Sequence, residues 1–468
     1  MHIPTLAFIV IVQALTGCAD EAPNPTQAPK KVTSSNSEHA PVAPSTNPSP
    51  AAGTIASEGQ TSTGAKAASQ PSSAPVKANP EGPSSAPNTA ASPSFVSLTE
   101  AMKKKADALK AMVLPLKPQE NNIGNAYVYG DTGTQVEIMG KLYEVSHDRA
   151  VLDKLIEFAD KMLSARNDPA TGYVKFTGNR ELCWGNDLAK TFACGEGDGD
   201  VIGHIAYVAK LIAQSKSLWN ESVSITDTYN YGKTYDLRAR TYIREMTRSI
   251  DTFITPNFVR PADKKFYTPD TAAYAAVDKR NWAIAWNRQM MLASGYQRVA
   301  ETLEIWGEQA EKIKSYDAIV NTNVKWFLSE METSQVNGTK VLKYSYDPRG
   351  LPITSAEDTT HAAHDYWGYF RTYLRPSLGM PQSTLKMMAD TFRYKIWLGE
   401  KNFAGKIDGT SGDAGTHSAP RTSVNSEFIF YALFTPEIFP AIATNLNALD
   451  IGARSLWMDY YKLGGVQN

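Results

Sequence analysis

From about residue 97 onward, apolar residues recur every three or four positions, which predicts one helix after another. Leu152, Leu155, Ile156, Ala159 and Leu163 show the spacing of a buried stripe. The same reading places helices at Gln135–Val145, Ala150–Arg166, Asp200–Gln214, Arg238–Phe253 and Ile284–Glu304. Further ones follow at Tyr316–Met331, Thr359–Leu374, Ser383–Leu398, Ser423–Leu433 and Ala453–Leu463. Ser97-Leu98-Thr99-Glu100 matches a capping box and predicts where folding begins. Strand-like pieces are few and short, such as Lys340–Tyr346. The class is therefore all-α. Antiparallel helical hairpins joined by irregular loops suit an (α/α) toroid, an incomplete barrel whose loops line a groove at one end. An irregular helical domain is the alternative.

Residues 1–96 follow a different pattern. Ile3 to Leu15 form a short apolar run, too short to span a bilayer and suited to a signal-peptide core. It ends in Leu15-Thr16-Gly17-Cys18, which resembles the bacterial lipobox. That resemblance implies cleavage after residue 17, lipid on Cys18 and, with Ala19 next, an outer-membrane address. Residues 19–94 are mostly Pro, Ser, Ala, Thr and Asn, hold nearly half of the 27 prolines and contain no Tyr or Trp. Such a segment buries too little apolar surface to offset its ordering entropy, so residues 18–96 read as a disordered tether. Residues 97–468 then form one catalytic domain.

The tether carries four of the 47 basic and five of the 48 acidic residues, which leaves 43 of each in the folded part. With that balance, global attraction of a polyanion is not expected, nucleic acid is excluded as a partner, and any anion binding is local. Cys183 and Cys194 are the thiols remaining besides Cys18, and an exported chain meets an oxidising compartment. A bridge between them is expected; two buried free cysteines are the alternative.

The densest chemistry lies in Glu357-Asp358-Thr359-Thr360-His361-Ala362-Ala363-His364-Asp365-Tyr366-Trp367. On a helix, His361, His364 and Asp365 share one side, and Asp358 suits the N-cap. Proton-transfer groups beside aromatic surface fit carbohydrate cleavage. A polar helix start with a core histidine is the plainer reading. Two histidines at i, i+3 are a weak metal signal, so neither metal nor cofactor is expected. A second cluster runs from Cys183-Trp184-Gly185-Asn186-Asp187 through Glu196, Asp198 and Asp200 to His204. Its glycine-spaced acids lack the register of a calcium loop; a helix-start turn capped by Asp198 or Asp200, or groove lining with Trp184 as a wall, are the readings. The loop Gly405 to Arg421, with His417 and Arg421, either closes over a substrate or is a surface connection.

From about Asn167 onward the chain resembles the six-hairpin (α/α)-toroid carbohydrate-active enzymes, in particular the group containing polysaccharide lyase family 38. Asn287 and Gln289 in Asn281-Trp282-Ala283-Ile284-Ala285-Trp286-Asn287-Arg288-Gln289 match an Asn-Gln-Gln helix start, with Arg288 departing from it. Glu357-Asp358-x-x-His361-Ala362-Ala363-x-Asp365 matches a Glu-Asp-x-Ser-His-Ala-x-x-Asp pattern with Thr360 in place of Ser. Thr391-Phe392, Trp397 and Ile407-Asp408-Gly409 follow in the family's order. The resemblance implies cleavage of alginate or glucuronan by β-elimination.

In that reaction a base removes the C5 proton of a uronate and the oxygen on C4 leaves. His361 is the candidate base, because imidazole titrates near working pH. Asn287 and Arg288 are candidates to neutralise the carboxylate, although a helix cap and a surface ion pair are their plainer roles. Tyr366 and Tyr296 are candidates for the partner tyrosine, with Tyr369 weaker. Glu357, His364, Asp365, Arg371, His417 and Arg421 are candidate substrate contacts. Trp184, Trp286, Trp367 and Trp282 are candidate stacking surfaces, although helical aromatics are more often core. The rival readings are a hydrolase with paired carboxylates drawn from Glu357, Asp358, Asp198 and Asp200, and a glycan-binding lipoprotein without activity. The expected partner is an acidic polysaccharide, and a monomer is expected.

Overall fold

The computed structural model describes residues 98–446, 451–462 and 464, which fall within one unit. The expected signal peptide, Cys18 and the tether lie outside the described residues. Among the described residues thirteen α-helices follow in the order α1 Glu100–Val113, α2 Asp131–Ser146, α3 Arg149–Ser164, α4 Asp198–Gln214, α5 Tyr235–Ser249, α6 Thr255–Phe258, α7 Ala272–Ala275, α8 Trp286–Trp306, α9 Ala310–Ser329, α10 Thr359–Tyr373, α11 Gln382–Thr391, α12 Phe439–Leu446 and α13 Ile451–Lys462. Two antiparallel pairs supply the strands: β1 Glu332–Val336 with β2 Thr339–Lys343, and β3 Trp397–Gly399 with β4 Asn402–Phe403. The chain is mostly helical, an all-α fold. No described helix is long and apolar enough to cross a membrane.

Local chemistry sets several boundaries differently from the periodic pattern. Thr99, not Ser97, caps α1 by accepting from the Met102 N–H, so the helix starts at Glu100. The expected helix at Ser423–Leu433 is a 3₁₀ segment, Ser426–Leu433. The expected helices ending at Phe253 and Leu398 each finish in a π-turn, at Ile250–Ile254 and Phe392–Ile396. Gly197 occupies the N-cap of α4 in place of Asp198 or Asp200.

Burial separates two kinds of helix. α3 buries one stripe, whereas α4 buries 14 of its 17 residues and α8 buries 16 of 21, so these two are wrapped by protein on nearly every side. The helix contacts return on themselves. α2 packs on α4, α4 on α8, α8 on α10, α10 on the Ser426–Leu433 segment, that segment on α13, and α13 on α2. Each of these six also packs against a helix outside the set: α3, α5, α9, α11, α12 or α1.

Small residues let the neighbours approach closely. A Cβ on Gly199 of α4 would lie 2.5 Å from the Leu292 Cα of α8, which is backbone that cannot yield. Alanine ordinarily favours a helix over glycine by about 1 kcal/mol. Here Gly199→Ala is expected to destabilise by about 2 kcal/mol or more, because the helices must separate. Urea unfolding checks this, and an unchanged midpoint would show that the contact is soft.

The contacts also fix direction. Gly199 meets Met291 and Leu292, and farther along Thr302 Oγ1 donates to the Ala206 carbonyl. Gly368 meets Met290, and Arg371 Nη1 donates to Ser294 Oγ. Helices α4, α8 and α10 therefore run the same way and begin at the same end. One turn toward that end, the register brings Asn287 level with His364.

Candidate functional site

The site is built around the tail of β2. The Tyr344 carbonyl accepts the Glu357 N–H at 2.8 Å, and the Tyr346 carbonyl accepts the Trp286 N–H at 3.1 Å. One short tail thus ties down the residues just before α10 and the first residue of α8. On the other side of α10, the Gly405 carbonyl accepts the Thr359 N–H at 2.9 Å and the Glu357 carbonyl accepts the Ile407 N–H at 3.0 Å. Arg421 donates to Thr360 Oγ1 and to the His417 carbonyl. The loop from Gly405 to Arg421 is therefore pinned across the first turn of α10.

Asp358 performs two tasks there. One oxygen accepts the Thr360 and His361 N–H groups at 2.9 and 3.0 Å, the N-cap expected of it. The other lies 2.6 Å from His361 Nδ1. Burial opposes its charge, but the hydrogen bonds and attraction of His361 prevail and hold the carboxyl below its usual pKa. With Nδ1–H given to a carboxylate, Nε2 is the basic nitrogen of the neutral ring. The ring lies near Tyr346 and near His417, with centroids at 5.0 and 5.2 Å. Tyr346 is half-buried and His417 exposed.

Behind the histidine lies a buried acidic pair. Glu357 is 1% and Asp365 0% exposed. Burial, then the charges of Asp365 and Asp358, push Glu357 well above the usual carboxyl range. Burial also pushes Asp365 up, to about 8, against the attraction of His361. The Tyr344 hydroxyl faces Asp365 and favours its charged form, yet it falls outside ordinary hydrogen-bond geometry and leaves both Asp365 oxygens unpartnered.

One group of His and acidic side chains among the described residues brings a ligand atom from each within 4.8 Å: Glu357, Asp358 and His361. Those atoms are mostly engaged, His361 Nδ1 with Asp358 and Asp358 with the helix start, while Glu357 Oε2 is unpartnered.

On α8, Asn287 is buried, and its carboxamide oxygen accepts the Arg288 N–H at 2.9 Å, which leaves its NH₂ as the donor group. Arg288 lies 4.0 Å from Glu196 Oε2, a long ion pair that joins the starts of α4 and α8. His364 is half-buried beside Asp365. His361, His364, Asn287, Arg288, His417 and Arg421 thus share the end at which these helices begin.

Other expected site residues lie elsewhere. Tyr366 is fully buried and donates to the Met388 carbonyl; Tyr296 is fully buried and bonded to Thr255 Oγ1. Tyr369 is stacked on Phe327 at 3.9 Å in the core. None of the three is placed as an acid or base. Tyr346, overlooked in the sequence, is the tyrosine whose ring lies beside His361; its only signal was the Tyr344-Ser345-Tyr346 run after a strand. Glu357 and Asp365 are buried together, and that burial pushes both carboxyls up.

Trp184 is core: its indole N–H donates to the Met162 carbonyl, so it forms no groove wall. Trp286 packs against Trp326 and Phe327. Trp367 is covered by Phe430 and by Lys141 Nζ at 4.2 Å. Trp282, in the loop before α8, is 52% exposed and is the indole open to a ligand. Arg371 lies ten residues along α10 from His361, about 15 Å at helical rise.

In the second polar cluster, Cys183 and Cys194 form a disulfide with Cα atoms 5.9 Å apart. Asp198 accepts the Trp184 and Gly195 N–H groups at 2.6 and 2.8 Å and is pushed up to about 7 by burial. His204 bonds Glu137 and the Val128 carbonyl within the core. This cluster builds the turn into α4.

No family model, curated protein or solved structure matches the chain.

Proposed function

We propose that the chain is an (α/α) toroid that cleaves a β-linked uronan, alginate or glucuronan, by β-elimination. The returning order of helix contacts supports the toroid, with α2, α4, α8, α10, Ser426–Leu433 and α13 as the inner layer. The observation that carries the reaction is the His361–Asp358 pair beside Tyr346 and His417, at the end where Asn287 and Arg288 also lie.

His361 Nε2 takes the C5 proton. The electron pair of that C–H bond becomes the C4=C5 double bond as the C4–O bond breaks, and Tyr346 gives its proton to the departing oxygen. The negative carboxylate opposes the carbanion, so the Asn287 NH₂ and the Arg288 guanidinium act by neutralising it. Asp358 keeps the imidazole in the tautomer that can accept a proton. Trp282 offers a sugar ring an exposed face. On the Leu15-Thr16-Gly17-Cys18 resemblance, the enzyme is anchored by lipid at the outer membrane.

A hydrolase with paired carboxylates is less well supported, since Glu357 is buried and Asp358 is committed to the helix start. The test is incubation with alginate, polymannuronate, glucuronan and a neutral glucan, followed at the ultraviolet absorbance of unsaturated uronates. Absorbance is expected to rise with at least one uronan and to be insensitive to EDTA. Loss on chelation would turn Glu357, Asp358 and His361 into metal ligands. New reducing ends without absorbance would establish hydrolysis, and retention on a polysaccharide gel without products would establish a binding protein.

A further inference from the structure

A cavity of about 1140 Å³ opens among the carboxyl-terminal halves of α2, α4, α8, α10 and α13. It is separated from His361 by roughly three turns of α10. Seven basic side chains and three acidic ones line it. Most of the buried cations are matched: Lys141 with Asp459 at 2.9 Å, Lys462 with Glu144 at 2.8 Å and Lys210 with Glu301 at 2.8 Å. Arg298 is forked onto Glu137.

Arg371 differs. Among the described residues no carboxylate lies within ion-pair distance of it, and its side chain makes one hydrogen bond, from Nη1 to Ser294 Oγ at 3.1 Å. The Nε and Nη2 donors form the opposite edge of the guanidinium and lie side by side. That edge has the spacing of two oxygens on one carboxylate or phosphate. A guanidinium with an uncommitted fork, set in a lining whose other buried cations are already matched, favours an anion bearing paired oxygens.

We propose that this cavity is a binding site for a small oxyanionic solute, a sugar carboxylate or free phosphate, gripped by the Nε/Nη2 edge of Arg371. It is separate from the reaction at His361 and does not depend on it.

The test is isothermal titration of the whole protein with glucuronate, inorganic phosphate and glucose, together with crystals soaked in selenate and read by anomalous scattering. Glucuronate or phosphate is expected to bind and glucose not to, with selenate density at Arg371. Binding of glucuronate but not phosphate would identify the sugar carboxylate as the ligand, and the converse would identify free phosphate. Arg371→Gln should weaken binding about tenfold or more, the loss of a charged bidentate contact, whereas His361→Ala should bind as the wild type does. Should Arg371→Gln fail to fold, the selenate position in wild-type crystals decides. Density only elsewhere, or binding lost in His361→Ala and kept in Arg371→Gln, would overturn the proposal. So would an absence of binding, which would leave half-buried Asp200, whose charge favours that of Arg371, as a sufficient counter-charge.

Discussion

Turnover of a uronan by His361→Ala is expected to fall by about two to four orders of magnitude, the usual cost of losing a general base. The fold should survive, because Asp358 caps α10 through the Thr360 and His361 backbone N–H groups and these remain in the variant. Asp358→Asn separates capping from orientation. Asparagine caps a helix about as well as aspartate, but it removes the charge that holds Nδ1–H. That variant should keep its melting temperature within a few degrees and lose at least about tenfold in kcat, by analogy with other histidine-orienting carboxylates. Asn287→Ala should act on kcat rather than KM, since neutralising the carboxylate matters most as the carbanion forms. Full activity in a folded His361→Ala protein would make His361 a structural residue and remove the lyase mechanism with it.

How far the sequence revealed this site depended on whether the signal was local. The cap at Asp358 and the helical face shared by His361 and His364 follow from spacing alone, so the start of α10 was legible. The cystine was legible too, from compartment and cysteine count. The tyrosine beside His361 was not. Tyr366 and Tyr296 sit at suitable positions in sequence, yet their rings face the core, where the Met388 carbonyl and Thr255 take their hydroxyls. Tyr346 reaches His361 only because its own carbonyl holds the start of α8 while the Tyr344 carbonyl holds the approach to α10. Those contacts are long-range and carry no periodicity. Trp184 was misplaced for a related reason: a polar sequence neighbourhood suggested a surface, but the Asp198 carboxylate folds that turn inward over it.

The second large effect concerns Asp365 and the pH dependence of stability. Its folded pKa, pushed up to about 8, exceeds the unfolded value of about 4. Between those values the folded protein binds more protons than the unfolded chain, so this group makes stability fall as pH rises through that window. Asparagine keeps the shape and cannot ionise. Asp365→Asn should therefore match the wild type near pH 4 and become progressively more stable than it toward pH 8, by up to about 5 kcal/mol. Removing the charge also relieves Glu357, whose carboxyl Asp365 helps to push up, so Glu357→Gln should shift stability in the same direction. Urea unfolding of both proteins at pH 5 and pH 8.5 tests the sign. A difference that is the same at both pH values would mean that Asp365 is charged throughout. An Asn variant less stable at pH 8.5 would mean that the buried carboxylate has a cationic partner worth more than its desolvation.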